Sequence, residues 1–173
     1  MLFLIYKMYL NFKIEGEKML LDPLKTKRAS AWKIYKDCPV QTVLILKKVD
    51  ITNLVKLSKK YKLNMLLCYC LGKSANEIEE FHYRLSENKF YKFDNMCVNM
   101  VIKGKDNSIY LCDVPFNDNF NKFCENYKDY VGESHEQNKN ISLKDCASIS
   151  TSNLSSYSFD ACLNPSCQAF NVP

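Results

Sequence analysis

The sequence predicts an α/β (α+β) domain in which helices cover a mixed β-sheet. Segments of helical and strand periodicity alternate along the chain, and the polar stretch 105–108 between two strand segments has the composition of a hairpin turn. Helices between strands favour parallel pairing, whereas a hairpin gives antiparallel pairing, so a mixed sheet follows. The 173 residues, 47% of them hydrophobic, fit one core and exclude intrinsic disorder, collagen and coiled coil.

Capping residues and apolar spacing predict four helices. Asp22 and Pro23 suit the N-cap and the first position of a helix. The four helices are expected at 22–35, from Asp50 or Thr52 onward, at 64–78 and from about Asp118. The last is the clearest, because its apolar residues form one stripe that faces a core. That stripe consists of Phe120, Phe123, Cys124, Tyr127, Tyr130 and Val131.

Strands are predicted where short runs rich in β-branched and aromatic residues lie between turns. They are expected at 41–47, 82–85, 90–93, 98–103, 109–114, 147–150 and 156–163. Residues 1–18 look unlike the rest of the chain, and Met19 is a second possible start. We expect residues 1–18 to be an N-terminal extension of unknown role: an extra strand, a disordered arm or residues from an upstream start codon.

The composition excludes several classes of function. Lys and Arg number 24 against 19 Asp and Glu, a net charge of +5, but the lysines are spread along the chain and predict no nucleic-acid partner. No segment reaches the roughly twenty apolar residues of a membrane-spanning helix. The apolar run 2–6 is broken by Lys7 and lacks a signal-peptide cleavage site. We therefore expect a cytoplasmic protein whose nine cysteines stay reduced.

The cysteines predict no metal site. One residue separates Cys68 from Cys70 and four separate Cys162 from Cys167, and neither spacing repeats as the paired CxxC motifs of a zinc ribbon do. Their scatter through apolar segments suits small buried hydrophobic side chains.

Two histidines limit the chemistry of proton transfer. His82 lies in a predicted strand and His135 in a predicted polar loop, and neither has a neighbour that indicates a nucleophile–base pair. The favoured interpretation is one histidine on a strand face and one in a solvated loop. The sequence contains no GxGxxG, GxxxxGK[ST] or HExxH motif, which excludes phosphate-cradling loops.

Four stretches, in consistent order over about residues 20–165, resemble the chloramphenicol acetyltransferase family. The first two are Leu21-Asp22 with Arg28, Trp32 and Tyr35, and Val49-Asp50-Ile51-Thr52, which is similar to an (I/V)DIT pattern. The third is 75–85, which resembles N-x-x-x-EFR-R-I with His82 in place of an arginine. The fourth is 150–160, which resembles SALPWVSFDSFNLN with Ser155-Ser156 in place of Pro-Trp.

This resemblance implies a partial CoA-dependent acyltransferase fold over residues 19–173, assembled as a homotrimer. It implies acetyl transfer from acetyl-CoA, as cosubstrate, to a hydroxyl of chloramphenicol or a similar acceptor, which is an antibiotic-resistance activity that uses no metal. Ser152 matches the serine whose hydroxyl stabilises the tetrahedral oxyanion. Tyr35 and Ile34 match residues that line the substrate pocket.

Arg28 matches an arginine that pairs, in the family, with the aspartate of an HHxxxDG segment. The second histidine of that segment is the general base, and the 173 residues contain no such segment. We therefore expect Arg28 to be exposed or to pair with another carboxylate. A missing C-terminal strand would also leave an open sheet edge.

Three hypotheses follow. The first is a C-terminally truncated acetyltransferase, inactive or nearly so because it lacks the roughly 10²- to 10⁴-fold contribution of a general base. The second is a non-catalytic binding or regulatory module that reuses the acyltransferase fold. The third is an active enzyme whose final segment lies outside these 173 residues.

Overall fold

Two β-sheets and four helices make up the described part of the chain. The structure is a computed structural model that describes residues 3–6, 18–37, 47–86 and 89–153. The larger sheet has the order β1 (Phe3–Tyr6), β7 (Cys146–Asn153), β5 (Asn95–Lys103) and β6 (Ile109–Pro115). The smaller has the order β2 (Met19–Leu21), β4 (Lys89–Lys92) and β3 (Tyr83–Ser86). The helices are α1 (Ala29–Tyr35), α2 (Thr52–Leu57), α3 (Leu63–Asn76) and α4 (Phe120–Gln137).

The larger sheet is mixed, which confirms the predicted fold class. β5 pairs in parallel with β7 and antiparallel with β6. The β5–β6 hairpin turns at Asn107, whose φ of 66° lies in the left-handed region that Asn tolerates. Parallel pairing of β5 and β7 requires a long crossover, and α4 supplies it.

β1 forms one outer edge of the larger sheet, and a short parallel bridge at Ile141 partly covers the other edge, at β6. β1 pairs antiparallel with β7 from Phe3↔Asn153 to Tyr6↔Ser150. At the other edge, Asp113 donates its backbone N–H to the Ile141 carbonyl, and Ile141 donates to the Leu111 carbonyl, both at 2.9 Å. β1 thereby pairs the edge of β7, and Ile141 pairs part of the edge of β6, within the same chain.

The core lies between the larger sheet and the helices α3 and α4. Alternate residues of β5 are buried towards the helices, as expected for a strand with one face on a core. The predicted stripe of α4 is confirmed, because Phe123, Cys124 and Tyr127 are buried. The central core residues are Cys68, Phe93, Val98, Met100, Cys112, Val114, Phe123 and Ala147. In the described residues, no helix is long and apolar enough to cross a bilayer.

The predicted first helix is wrong over its first half. Asp22 does accept a hydrogen bond from Leu24 N at 2.9 Å, but it caps a single 3₁₀ turn at Pro23–Lys25. Thr26 then ends that turn, because its hydroxyl donates to the Pro23 carbonyl at 2.8 Å and accepts from Arg28 N at 3.2 Å. A side chain that bonds the backbone in this way competes with helical hydrogen bonds, so α1 begins only at Ala29.

The predicted settings of both histidines are also wrong. His82 ends a 3₁₀ turn, Glu79–His82, and the strand begins one residue later. His135 lies in the last turn of α4, which continues to Gln137 and stops at Asn138 in a left-handed conformation with φ 51°. Most of the strand predicted at 41–47, and the whole of the one at 156–163, fall outside the described residues.

Candidate functional site

Ser152, the predicted oxyanion donor, lies near the end of β7. Residues of β7 alternate between the two sides of the sheet, and Thr151 points towards the helices, since its Oγ1 is 4.0 Å from Cys68 Sγ of α3. Ser152 therefore points to the side opposite the helices, where it is half-buried. Ser148 and Ser150 share that side.

Two neighbouring strands hold β7 at or next to Ser152: β1 pairs with Ser152 itself, and the parallel register with β5 ends one residue earlier, at Thr151. On one side, β1 pairs Leu4 with Ser152. On the other, β5 runs parallel to β7, and Thr151 Oγ1 donates to the Asn99 carbonyl at 3.2 Å. A serine hydroxyl on a strand held from both sides is a neutral hydrogen-bond donor in a fixed position, which is what stabilisation of an oxyanion requires.

His82 is not at this site. Its Nδ1 lies 2.9 Å from the Phe93 carbonyl and its Nε2 lies 3.1 Å from the Asn76 carbonyl. The imidazole thus joins the end of α3 to the segment that leads into β5. Phe93 lies two residues before Asn95, which pairs with Cys146 at the start of β7. Ser152 is six residues farther along β7, about 20 Å at the rise of a strand.

His135 belongs to the helix side of the sheet. Its Nδ1 lies 2.8 Å from the Lys103 carbonyl at the end of β5, and its side chain is exposed. The helix that carries it, α4, packs on the sheet through Phe123 and Tyr127, on the side opposite Ser152. Neither of the two histidines projects beside Ser152, so neither is placed to take a proton there.

The predicted substrate residues lie on α1, away from Ser152. Trp32 packs edge-on against Phe90 of β4, with ring centroids 5.0 Å apart, so α1 lies against the smaller sheet. That sheet meets the larger one near the start of β7, where Arg84 Nη1 donates to the Cys146 carbonyl at 3.3 Å. Ile34 and Tyr35 are 66% and 59% exposed.

Arg28 is exposed at the start of α1. Within the described residues its guanidinium forms no ion pair, which is the first of the two outcomes expected for it. An exposed guanidinium stays hydrated, so Arg28 carries no desolvation penalty in this position.

The sequence analysis missed a buried carboxylate on the same side of the sheet as Ser152. Asp113 of β6 is only 6% exposed and accepts two hydrogen bonds, from Asn99 Nδ2 at 2.7 Å and from Leu143 N at 2.8 Å. Asn99 pairs with Asp113 in one neighbouring strand and with Ser150 in the other, so the three residues form a row across the sheet. An acidic residue inside the apolar run 109–114 is the sequence signal that could have indicated it.

The buried thiols of Cys68 and Cys112, which belong to the core, do not offer a nucleophile. Burial raises the pKa of Cys68 to about 12, and burial together with the charge of Asp113 raises the pKa of Cys112 to about 12. A thiol reacts as its thiolate, which is scarce at neutral pH for both residues. The described residues also contain no group of three or more His, Cys, Asp or Glu side chains that could hold a metal ion.

Comparison with known proteins identifies the family. The family model described as chloramphenicol acetyltransferase matches residues 19–166, which is most of the chain. The chain belongs to the chloramphenicol acetyltransferase family. A solved structure of a chloramphenicol acetyltransferase is similar in fold, with a TM-score of 0.61 and 18% sequence identity over 67% of this chain. No curated protein matches the sequence.

The family match confirms the predicted resemblance, and residues 3–6 of β1 lie before the matched region. The chain spans 56% of the length of the solved chloramphenicol acetyltransferase. At 18% identity the structural likeness shows the shared fold. Ser152 lies within the matched region, in the central part of the mixed sheet.

Proposed function

We propose that this chain serves acetyl transfer from acetyl-CoA to a hydroxyl of chloramphenicol or a similar acceptor. The observation that carries the proposal is the match of the chloramphenicol acetyltransferase family over residues 19–166. Ser152, half-buried in β7 inside this region, is the proposed oxyanion donor. Residues 19–173 are proposed to form part of an acyltransferase domain, with residues 1–18 as an extension.

In this reaction the acceptor oxygen attacks the thioester carbonyl, and negative charge develops on the carbonyl oxygen. The hydroxyl of Ser152 would donate a hydrogen bond to that oxyanion, and pairing of β7 with β5 and β1 holds the backbone from which it projects. Collapse of the intermediate breaks the carbon–sulfur bond and releases CoA. Removal of one such donor typically lowers the rate about 10²- to 10³-fold.

The acceptor hydroxyl also has to lose a proton, which in this family passes to a histidine, and the 173 residues contain two histidines, His82 and His135. His82 has both ring nitrogens on backbone carbonyls, and His135 is on the helix side of the sheet. We therefore propose that the chain alone turns over slowly, without the roughly 10²- to 10⁴-fold gain of a positioned base. Tyr35 and Ile34 remain the proposed acceptor-binding residues.

A rescue experiment tests the proposed oxyanion donor, Ser152, and the proposed lack of a positioned base together. The 173-residue chain is assayed for release of CoA thiol with acetyl-CoA and chloramphenicol, with and without added imidazole. Imidazole in solution can replace a missing histidine base, so we expect the slow rate to rise with imidazole concentration. The Ser152→Ala variant should lose this increment by about 10²-fold or more.

Ser150→Ala is the matched control, because Ser150 lies two residues earlier on the same side of β7. It should keep the imidazole-dependent rate. Turnover at an ordinary enzymatic rate without imidazole would contradict the proposed slow reaction. Equal loss in both serine variants would contradict the role of Ser152, and the absence of both acetyl-CoA binding and rescued turnover would overturn the acetyltransferase proposal.

A second candidate is a non-catalytic binding module that keeps the fold. The observation that favours it is β1, which occupies the backbone edge of β7 beside Ser152. Such a module would bind acetyl-CoA or the acceptor in a calorimetric titration and show no imidazole-dependent turnover. Homotrimer assembly, a cytoplasmic location and a role in antibiotic resistance remain predictions from the family resemblance.

A further inference from the structure

Two buried thiols meet between the central strands of the larger sheet. Cys97 of β5 and Cys146 of β7 have their Sγ atoms 2.7 Å apart, and the two residues are 0% and 2% exposed. In the parallel register Asn95 pairs with Cys146 and Cys97 pairs with Ser148, so the two cysteines are diagonal neighbours on the side away from the helices. The resemblance to acetyltransferases assigns no role to either thiol.

We propose that Cys97 and Cys146 form an oxidant-sensitive pair that a small hydroperoxide converts to a disulfide between β5 and β7. The sulfur atoms are already in contact, so little movement separates the dithiol from the disulfide. A metal site is a poorer fit, because within the described residues no third His, Cys, Asp or Glu completes a ligand group around them.

The chemistry balances with hydrogen peroxide as the oxidant. The sulfur of one thiolate attacks the peroxide, so a sulfur–oxygen bond forms and the oxygen–oxygen bond breaks; the hydroxide that leaves takes up the proton given up by that thiol and becomes water. The sulfur of the second cysteine then attacks the sulfur of the resulting sulfenic acid, so a sulfur–sulfur bond forms and the sulfur–oxygen bond breaks; the hydroxide that leaves takes up the second thiol proton and becomes the second water. The two thiols together lose two electrons and the peroxide gains them.

Cys146 is the thiol expected to react first. It follows Lys144 and Asp145, which are exposed, and its Sγ lies 4.0 Å from the Leu143 carbonyl of the same connecting segment. Displacement of this short segment would expose Cys146 without opening α3 or α4. Cys97 lies in the middle of the sheet and would serve as the resolving thiol.

Burial controls how fast the pair reacts. Burial, the hydrogen bond with Cys146 and the charge of Asp113 together hold the pKa of Cys97 well above its usual range. In the closed structure Cys97 therefore stays a thiol, and Cys146, which is 2% exposed, is shielded from peroxide, so oxidation waits for local opening at the start of β7. We expect the oxidation rate to rise in urea concentrations too low to unfold the protein, and to rise with pH.

Peptide mapping of the full chain tests the proposal directly. The native protein is treated with hydrogen peroxide, blocked with iodoacetamide under denaturing conditions and digested with trypsin. We expect fragment 93–103 to be linked to fragment 145–173, with the mass of the pair lower by two hydrogen atoms. Fragment 145–173 also contains Cys162 and Cys167, so the mapping is done in a Cys162→Ser/Cys167→Ser background.

A stability measurement provides a second readout. The disulfide would close a loop of about 50 residues, and loops of that size raise Tm by roughly 10 °C in a protein of this length. The rise should reverse on addition of dithiothreitol. Cys146→Ala should show neither the link nor the rise, whereas Cys70→Ser, which changes an exposed cysteine of α3, should show both.

The proposal fails if fragment 93–103 is recovered unlinked from native protein in which the exposed Cys70 has been oxidised. It also fails if Cys97 links equally well to several cysteines, since that pattern indicates reaction of the unfolded chain. Mapping in a chain that keeps Cys97 and Cys146 decides the matter even if Cys146→Ala does not fold. None of these measurements depends on acetyltransferase activity.

Discussion

The helices α4 and α1 both carry aromatic residues, yet they contribute to the molecule in different ways. α4 has 18 residues, begins with the side chain of Asn119 bonded to Lys122 N at 3.2 Å, and buries Phe123 and Tyr127. α1 has seven residues, its N-cap residue Arg28 forms no side-chain capping hydrogen bond, and it buries no residue. A helix as short as α1 is marginal unless tertiary contacts support it, and Trp32 on Phe90 provides one such contact.

This difference divides the chain into two regions. The first is the well-packed region of α4 and the larger sheet, which sets stability, and the second is the region of α1, which presents side chains to the surface. Ser152 lies in the first region, on a strand held by two neighbours. Tyr35 and Ile34, the proposed acceptor-binding residues, lie in the second. Substitutions in α1 should therefore change recognition with little change in folding, and substitutions around α4 should do the reverse.

Truncation of Phe123 should have the largest effect. Phe123 is fully buried, and its ring centroid lies 5.6 Å from that of Tyr69 and 5.9 Å from that of Phe116. Phe123→Ala removes these contacts and leaves a cavity, which typically costs about 3–5 kcal/mol. Leu57→Ala, in the exposed end of α2, should cost no more than about 0.5 kcal/mol. Urea unfolding of both variants gives the two values, and similar losses would contradict the division between regions.

The parts of the fold that sequence predicts well are those decided by local spacing. The stripe of α4 follows from apolar residues three and four apart, and the β5–β6 hairpin follows from a polar turn with Asn107. The start of α1 was mispredicted because the Thr26 hydroxyl takes over backbone hydrogen bonds, a choice that residue preferences do not determine.

The candidate site depended on contacts between distant residues. β5 and β7 are parallel neighbours although residues 104–145 lie between them, and β1 pairs with β7 although most of the chain separates these two strands. The two carbonyls that engage His82 come from Asn76 and Phe93, and only the fold brings both to the imidazole. Ser152 was identified through family resemblance, because a serine in a strand has no local signature of a catalytic role.

Removal of the Asp113 carboxylate should have the next largest effect. Asp113→Ala leaves Asn99 Nδ2 and Leu143 N without their acceptor in a buried position, at a cost of about 1–3 kcal/mol. Asn99→Ala removes one donor and should cost less, since Asp113 keeps its bond from Leu143. The double variant should cost less than the sum of the single variants, as measured by urea unfolding. Strict additivity would show that the two side chains do not interact.

Two helical glycines sharpen the comparison within the well-packed region. A Cβ on Gly72 of α3 would clash with Phe116 Cδ2 and lie 3.0 Å from Val98 Cγ2. Gly72→Ala should therefore destabilise by about 1–2 kcal/mol despite the better helix propensity of alanine. A Cβ on Gly132 of α4 meets nothing within 4 Å, so Gly132→Ala should stabilise by about 0.5–1 kcal/mol. Thermal unfolding would show opposite signs, and equal signs would refute the packing argument.

The smallest expected effect concerns two exposed ion pairs, one in each region. Lys92 Nζ lies 3.0 Å from Glu79 Oε1 beside the smaller sheet, and Lys105 pairs with Glu136 of α4. In each pair the hydrogen bond from the lysine is the main cause that lowers the pKa of the glutamate from 4.5; for Glu79 a bond with Tyr83 adds to it. A lowered folded-state pKa means that each contribution is present above about pH 4.5 and is lost as pH falls through the folded value.

Glu79→Gln and Glu136→Gln should therefore each flatten the acid limb of the stability curve slightly and leave neutral pH almost unchanged, because exposed pairs are screened by solvent. Urea midpoints measured from about pH 3 to about pH 7 test both variants. The effects should be of similar size, although one pair lies in the well-packed region and the other does not. A large loss for Glu136→Gln alone would mean that the region, and not the exposure of the two charges, decides the strength of an ion pair.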